Sequence, residues 1–214
     1  MTIASNLKAI QSSLANKVTL VAVSKTKPNT AILEAYQAGQ RIFGENKVKE
    51  LAQKAEKLPK DIAWHMIGHL QTNKVKFIAP FVSLIHAVDS LKLLKEINKR
   101  AEQNNRIIDC LLQVHIATES SKFGFEMEEV ESALNLAEEF KNIRITGLMG
   151  MATFTDDTQK VVDEFKSLKT VFDSIKNEQI TTLSMGMSGD YNLAIEQGST
   201  MIRVGSAIFG HRKK

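Results

Sequence analysis

The 214 residues include a single cysteine, Cys110, so no intrachain disulfide can form and a reducing, cytoplasmic setting is expected. Prolines number only three and no low-complexity stretch occurs, so nothing reads as a linker and residues 1–214 are expected to form one domain. No apolar run approaches the ~20 residues that cross a bilayer, and the N-terminus lacks a signal peptide's apolar core. A membrane role is not expected. Excess charge is scarce too: the formal net charge is +4, and in Lys47-Val-Lys-Glu-Leu-Ala-Gln-Lys-Ala-Glu-Lys57 opposite charges fall within helical reach of one another. That pattern describes a solvated face rather than a nucleic-acid surface. The one basic cluster, His211-Arg-Lys-Lys214, reads as a tail in solvent. No large apolar surface stripe is evident, and a monomer is expected.

What the sequence does contain is alternation. Apolar runs at 18–23, 41–43, 64–67, 84–87, 108–116, 143–149, 181–183 and 201–204 are separated by helix signals. These are Asn29-Thr30, Thr72-Asn73 before 74–78, Asp89-Ser90 before 91–103, an acidic start to 126–140, Asp156-Asp157 before a long helix to Lys176, and Gly189-Asp190 before 191–197. An amphipathic helix over 3–15 precedes them all. Repeated β-α units imply parallel strands with helical crossovers, and eight of them in this length describe a (β/α)8 TIM barrel with an extra N-terminal helix. The rival is a doubly wound open sheet. That fold carries a Gly-rich phosphate loop after its first strand, and Ser24-Lys25-Thr-Lys-Pro28 has no glycine.

Chemistry in such a barrel sits where strands end, so the polar residues after each run matter most. Lys25 follows the first run, where apolar walls would let its amine shed a proton and attack a carbonyl; the neighbouring charge of Lys27 favours the neutral amine. A plain surface lysine is the alternative. Gly44-Glu-Asn46 follows the second run, and Asn46 either bonds a ligand or caps the next helix. His65 falls within the third run and His69 just after it, and packing histidines are the commoner case. The lone cysteine and scattered histidines show no metal-ligand spacing. Lys122, in the long loop after the fifth run, is placed to meet an anion or to be solvated. Gly147-Leu-Met-Gly-Met151 sets polarizable methionines where a flat ring would pack, although such methionines also fill cores.

Ser184-Met-Gly-Met-Ser188-Gly-Asp190 and Arg203-Val-Gly205-Ser206 end the seventh and eighth runs, where this fold commonly holds phosphate. A reactive amine opposite a phosphate cradle describes a ligand that is an aldehyde at one end and a phosphate at the other. Pyridoxal 5'-phosphate (PLP) and phosphosugars both satisfy that description.

The motifs Ala22-Val-Ser-Lys25-Thr-Lys-Pro28, Phe43-Gly-Glu-Asn46, His65-Met-Ile-Gly-His-Leu-Gln71, Gly147-Leu-Met-Gly-Met-Ala152, Leu183-Ser-Met-Gly-Met-Ser188 and Ser199-Thr-Met-Ile-Arg-Val-Gly-Ser-Ala-Ile-Phe-Gly210 span nearly the whole chain. Each is weak alone; as an ordered set they are specific. The chain resembles the pyridoxal phosphate homeostasis proteins, a family of PLP-binding barrels similar to the N-terminal domain of alanine racemases. The resemblance implies that Lys25 forms the Schiff base, that Arg203 faces the pyridine nitrogen, and that Ser188, Gly205 and Ser206 hold the phosphate. It also places Asn46 and Met151 near the ring. A permanent cation at the nitrogen disfavours its protonation and weakens the cofactor as an electron sink.

The resemblance therefore implies a protein that carries or buffers PLP without a dedicated reaction, passing it to PLP-dependent apo-enzymes, and no catalytic residue is assigned. A minimal amino-acid racemase is the alternative, with Lys122 or His65 as a second base. Racemases of this fold use a tyrosine from a second domain. The expectation is that this domain is absent, because the sequence stops at Lys214, and Tyr36 and Tyr191 both fall in barrel helices. A phosphosugar aldolase is disfavoured because it needs neither Met151 at a ring nor Arg203 at a nitrogen.

Overall fold

A computed structural model describes residues 2–14, 18–117 and 123–210. Eight parallel strands close in sequence order into a barrel: β1 Thr19–Val23, β2 Ile42–Glu45, β3 Ala63–Met66, β4 Leu84–Val88, β5 Ile108–Gln113, β6 Ile143–Met149, β7 Thr182–Met187 and β8 Met201–Val204. Closure is made by β1 against β8, from Thr19 opposite Met201 to Ala22 opposite Val204. The helices are α1 Ile3–Ser13, α2 Asn29–Gln37, α3 Val48–Lys57, α4 Leu91–Gln103, α5 Val130–Ala137, α6 Thr158–Ile175, α7 Tyr191–Glu196 and α8 Ser206–Phe209, with 3-10 turns at Thr72–Phe77 and Met127–Glu129. The expected (β/α)8 barrel and its additional N-terminal helix are both present.

The apolar runs are explained by burial on two sides. Alternate strand residues point to opposite faces, so in β1 Leu20 and Ala22 join the outer core beneath the helices while Val21 joins Leu84, Ala87, Leu111, Met149 and Met201 inside the barrel. Neither face meets water. The helices supply the outer layer through one stripe each. In α6, Val161, Phe165, Leu168 and Phe172 recur at helical spacing and are buried, each large side chain contributing roughly 1.5–3 kcal/mol. Helix α1 starts with a capping box between Thr2 and Ser5 and is tied down at both neighbours. The Ile3 N–H donates to Glu34 on α2 at 3.0 Å, and the Asn6 amide donates to the Ile208 carbonyl on α8 at 3.0 Å.

Several boundaries differ from the sequence pattern. The helix expected over 3–15 stops at Ser13, with Ala15 outside the described residues. The helix expected over 126–140 starts as a 3-10 turn and ends at Ala137, and the segment expected as a helix over 74–78 belongs to a 3-10 turn that ends at Phe77. The fifth strand ends at Gln113; Val114 still donates its N–H to the Met149 carbonyl at 2.8 Å, and it also bridges Phe125.

The seventh strand differs most. It begins at Thr182 and runs four residues beyond the expected Thr181-Thr-Leu183, so Ser184 lies inside the barrel wall and not in the loop. Gly186 makes this extension possible: its φ is +95°, a Cβ there would lie 2.6 Å from that of Ala194, and the β7–β8 register shifts between Ser184 and Met187.

Gly147, in the middle of β6, is required for a different reason. A Cβ at this position would lie 1.7 Å from the Thr182 carbonyl oxygen, on the neighbouring strand. Gly147→Ala is therefore expected to force β6 and β7 apart and to cost at least about 3 kcal/mol. The shift of the urea unfolding midpoint checks this.

Candidate functional site

The seven residues singled out above lie at the C-terminal rim of the barrel. Lys25 is partly buried, two residues past β1, and the backbone leading to it continues the sheet through the Ser24 N–H, which donates to the Gly44 carbonyl at 3.0 Å. Gly205 follows β8 so tightly that a Cβ there would lie 3.2 Å from the Val23 carbonyl oxygen, which seats the ends of β8 and β1 side by side. The Gly205 N–H donates to the Ser188 hydroxyl at 3.1 Å, joining the loops after β7 and β8, and exposed Ser206 opens α8. Asn46 is partly buried between β2 and α3, its backbone against Gly68 of the next loop. Met151, two residues past β6, packs on the apolar cluster inside the barrel.

Arg203 points into the barrel and is 4% exposed. One of its terminal nitrogens donates to the Ser184 carbonyl at 2.8 Å and to the Ser184 hydroxyl at 2.6 Å, and the other donates to the Gly150 carbonyl at 3.0 Å. The guanidinium thus ties β8 to the end of β6 and to the middle of β7. Burial pulls its pKa down to about 10, opposed by the Asp190 carboxylate, so it remains a cation at neutral pH.

Behind Arg203 the polar contacts continue. His86 Nδ1 is 3.0 Å from the Ser184 hydroxyl, and His86 Nε2 is 3.0 Å from His65 Nδ1. Arginine can only donate, so the Ser184 hydroxyl accepts from Arg203 and keeps its own proton and a second lone pair for other contacts. His86 joins Ser184 through Nδ1 and His65 through Nε2, so one imidazole bridges the two. From the other end of the barrel, a cleft of about 650 Å³ reaches His65. Both imidazoles are neutral. Burial lowers His65 to about 3, while burial first, and then the repulsion that a protonated His65 and the Arg203 charge would exert, hold His86 well below its ordinary value.

His86 and Ser184 were not singled out from the sequence. The available signal was a polar residue at an inward position of an otherwise apolar strand, as in Leu84-Ile-His-Ala-Val88. His65 does point inward, as its position in the third run allowed. His69 remains at the rim, bonded to Asp89 at 2.9 Å and stacked on Phe123 with ring centroids 4.1 Å apart. Beside it, a groove of about 580 Å³ between α3 and the first 3-10 turn is lined by Asn46, Lys47, Lys49, Lys74 and Phe77, among others. Of the seven rim residues it includes only Asn46. Lys122 and the tail at 211–214 lie outside the described residues.

The alanine racemase N-terminal domain model matches residues 1–213. The pyridoxal phosphate homeostasis protein of Aquifex aeolicus is 39% identical over 202 residues, covering 92% of this chain and 89% of that one. The chain belongs to the pyridoxal phosphate homeostasis protein family. Among solved structures, PipY of Synechococcus elongatus PCC7942 without PLP superposes with a TM-score of 0.93 at 35% identity, over 98% of this chain and 100% of that one. PipY with PLP bound gives 0.89 at 34% identity, with the same coverage. Alanine racemase from Bartonella henselae shares the fold, with a TM-score of 0.76 at 16% identity over 99% of this chain and 60% of that one.

Within this homeostasis-family barrel neither tyrosine is a hydrogen-bond partner of Arg203, Ser184 or His86. The Tyr36 hydroxyl donates to Asp61, and Tyr191 opens α7 and packs against the outer core. Cys110 is free and buried, and burial pushes its thiol up. Among the described residues no three His, Cys, Asp or Glu side chains gather as metal ligands, and no helix is long and apolar enough to cross a membrane.

The neutral histidines predict an acid weakness. Between pH 6.5 and about 3 the unfolded chain binds protons at His65 that the folded barrel refuses, and His86 behaves likewise. Stability is therefore retained above pH 6.5 and lost below it, by roughly 1.4 kcal/mol per pH unit for each histidine. Urea midpoints measured from pH 7 down to 5 should fall accordingly, and His65→Gln should remove about half of that slope.

Proposed function

We propose that this protein binds PLP reversibly through Lys25 and serves its intracellular homeostasis as a carrier or buffer, within one domain spanning residues 1–214 and without a reaction of its own. The observation that carries the reading is the pairing of a lysine at the end of β1 with a buried, permanently charged Arg203 on the adjacent β8. PLP, when bound, supplies an aldehyde that condenses with a primary amine: a C=N bond forms and the carbonyl oxygen leaves as water. The donor set of this chain fits such a molecule. Lys25 presents the amine, the Ser188 and Ser206 hydroxyls with the Gly205 backbone suit a phosphate, Arg203 suits a ring nitrogen, and Asn46 and Met151 flank the ring.

Arg203 also bears on what the protein does not do. Its guanidinium has only protons to offer, so a pyridine nitrogen facing it stays unprotonated and the ring stabilises a carbanion poorly. A carrier needs no such stabilisation. The names of the relatives and PLP in the PipY structure support the same reading. Free thiol Cys110 accords with a reducing cytoplasm, and a monomer that hands PLP to apo-enzymes completes the proposal. The racemase alternative keeps the fold in its favour, but Tyr36 is engaged by Asp61 and no tyrosine joins Arg203's network among the described residues.

Borohydride reduction of the PLP-incubated protein followed by peptide mass mapping should place the label on Lys25, and Lys25→Ala should abolish it. Label on other lysines alone overturns the assignment. Amino acids incubated with the loaded protein in deuterated water should show no protein-dependent α-deuterium incorporation. Turnover that vanishes in Lys25→Ala would make the protein an enzyme.

A further inference from the structure

The backbone around Lys25 is held in an unusual way. The Lys27 N–H donates to the Ser24 carbonyl at 3.0 Å, closing a turn with Lys25 and Thr26 at its centre. Thr26 has φ of +64°, in a region that β-branched residues avoid and that glycine ordinarily fills at this place in a turn. Such a conformation persists only when its surroundings over-determine it.

Those surroundings are three charged side chains from β2 and α3. The Lys54 ammonium donates to the Ser24 carbonyl at 2.8 Å, to Glu45 Oε1 at 2.8 Å and to Glu50 Oε1 at 2.7 Å, which uses all three of its protons. Glu50 Oε1 in turn accepts the Thr26 N–H at 2.6 Å. Glu45 Oε1 accepts the Ser24 hydroxyl at 2.5 Å. The Ser24 carbonyl belongs to the peptide group before Lys25, and the Thr26 N–H to the peptide group after it. One ionic cluster thus grips both.

Lys54 is 6% exposed and Glu45 fully buried, with Glu45 Oε2 lacking any partner. An ion pair so placed is a poor source of stability compared with apolar packing of the same volume, so its retention suits a positional task.

We infer that Glu45, Glu50 and Lys54 are positioning residues for Lys25, clamping the two peptide groups on either side of it so that its amine is aimed into the barrel mouth before any ligand arrives. The inference rests on the reading of Lys25 as the residue that takes PLP. Lysine is required at position 54 because three separate acceptors surround a point charge; the planar fork of arginine does not match them. At position 50 the requirement is an oxygen acceptor within reach of Thr26, which glutamine retains and alanine lacks.

The test compares two ligands on the purified full chain. PLP reads covalent loading by the rate of borohydride-trappable label at Lys25. Pyridoxine 5'-phosphate, an alcohol that cannot condense with an amine, reads the ring and phosphate contacts alone. Glu50→Ala should slow loading by roughly ten- to a hundredfold, the scale of a misplaced reacting group, while its affinity for pyridoxine 5'-phosphate stays within about twofold of the starting protein. Glu50→Gln should recover most of the rate. Lys54→Met and Lys54→Arg should both load slowly; Glu50, being partly exposed, serves if these fail to fold. Loading of Glu50→Ala at the unaltered rate overturns the clamp, as does an equal loss for both ligands, which would mean general damage to the site. If the starting protein is not labelled at Lys25, it is the reading of Lys25 that fails, whatever the variants do.

Discussion

A guanidinium enclosed within a strand barrel must find acceptors for its protons there, and much of the interior of this protein follows from meeting that demand at Arg203. Its donors take the carbonyls of Gly150 and Ser184 and the Ser184 hydroxyl, so β6, β7 and β8 are bound to one side chain. The Ser184 hydroxyl that accepts from Arg203 also meets His86, and His86 meets His65. A second cation in the same closed space would be costly, so both histidines stay neutral.

A second buried charge, Lys54, lies on the outside of the sheet, where α3 covers β2. The two arrangements share a logic: each charge is matched to backbone carbonyls as well as to side chains, so each fixes main chain rather than simply adding attraction. Lys54 acts on the turn after β1, and Arg203 on the turn after β6 and on β7 at Ser184. Because β1 and β8 are neighbours in the closed barrel, the two systems support adjoining parts of one rim. A rim built this way offers an amine, a fixed cation and a hydroxyl with little need to reorganise, which suits reversible capture of a phosphorylated aldehyde.

Much of the barrel was legible because its strands are apolar on both faces and its helices on one. The sixth and eighth strands coincide with the apolar runs 143–149 and 201–204, and Ser90 and Asp157 cap helices where the pattern expects them. The seventh strand was misjudged because Ser184 and Gly186 read as loop residues. In the structure the first is a buried partner for Arg203 and the second a bulge that a side chain would block. Candidate rim residues were legible by position, since Lys25, Asn46, Met151, Ser188 and Gly205 each follow an apolar run. His86 was not, because one polar residue in a run carries no sign of which way it faces, and its serine partner is 98 residues away.

Alternating apolar periodicity determined the number of strands, their parallel order and the end of the barrel at which polar residues collect, because each depends on local pattern and on connection length. Which of those residues are bound to one another was decided only by closure. Bringing β8 beside β1 joins Arg203's strand to that of Lys25, and a shifted register at Gly186 brings Ser184 to Arg203. Hydrogen bonds act over about 3 Å, and no spacing along the chain encodes a separation that short between residues drawn from different strands.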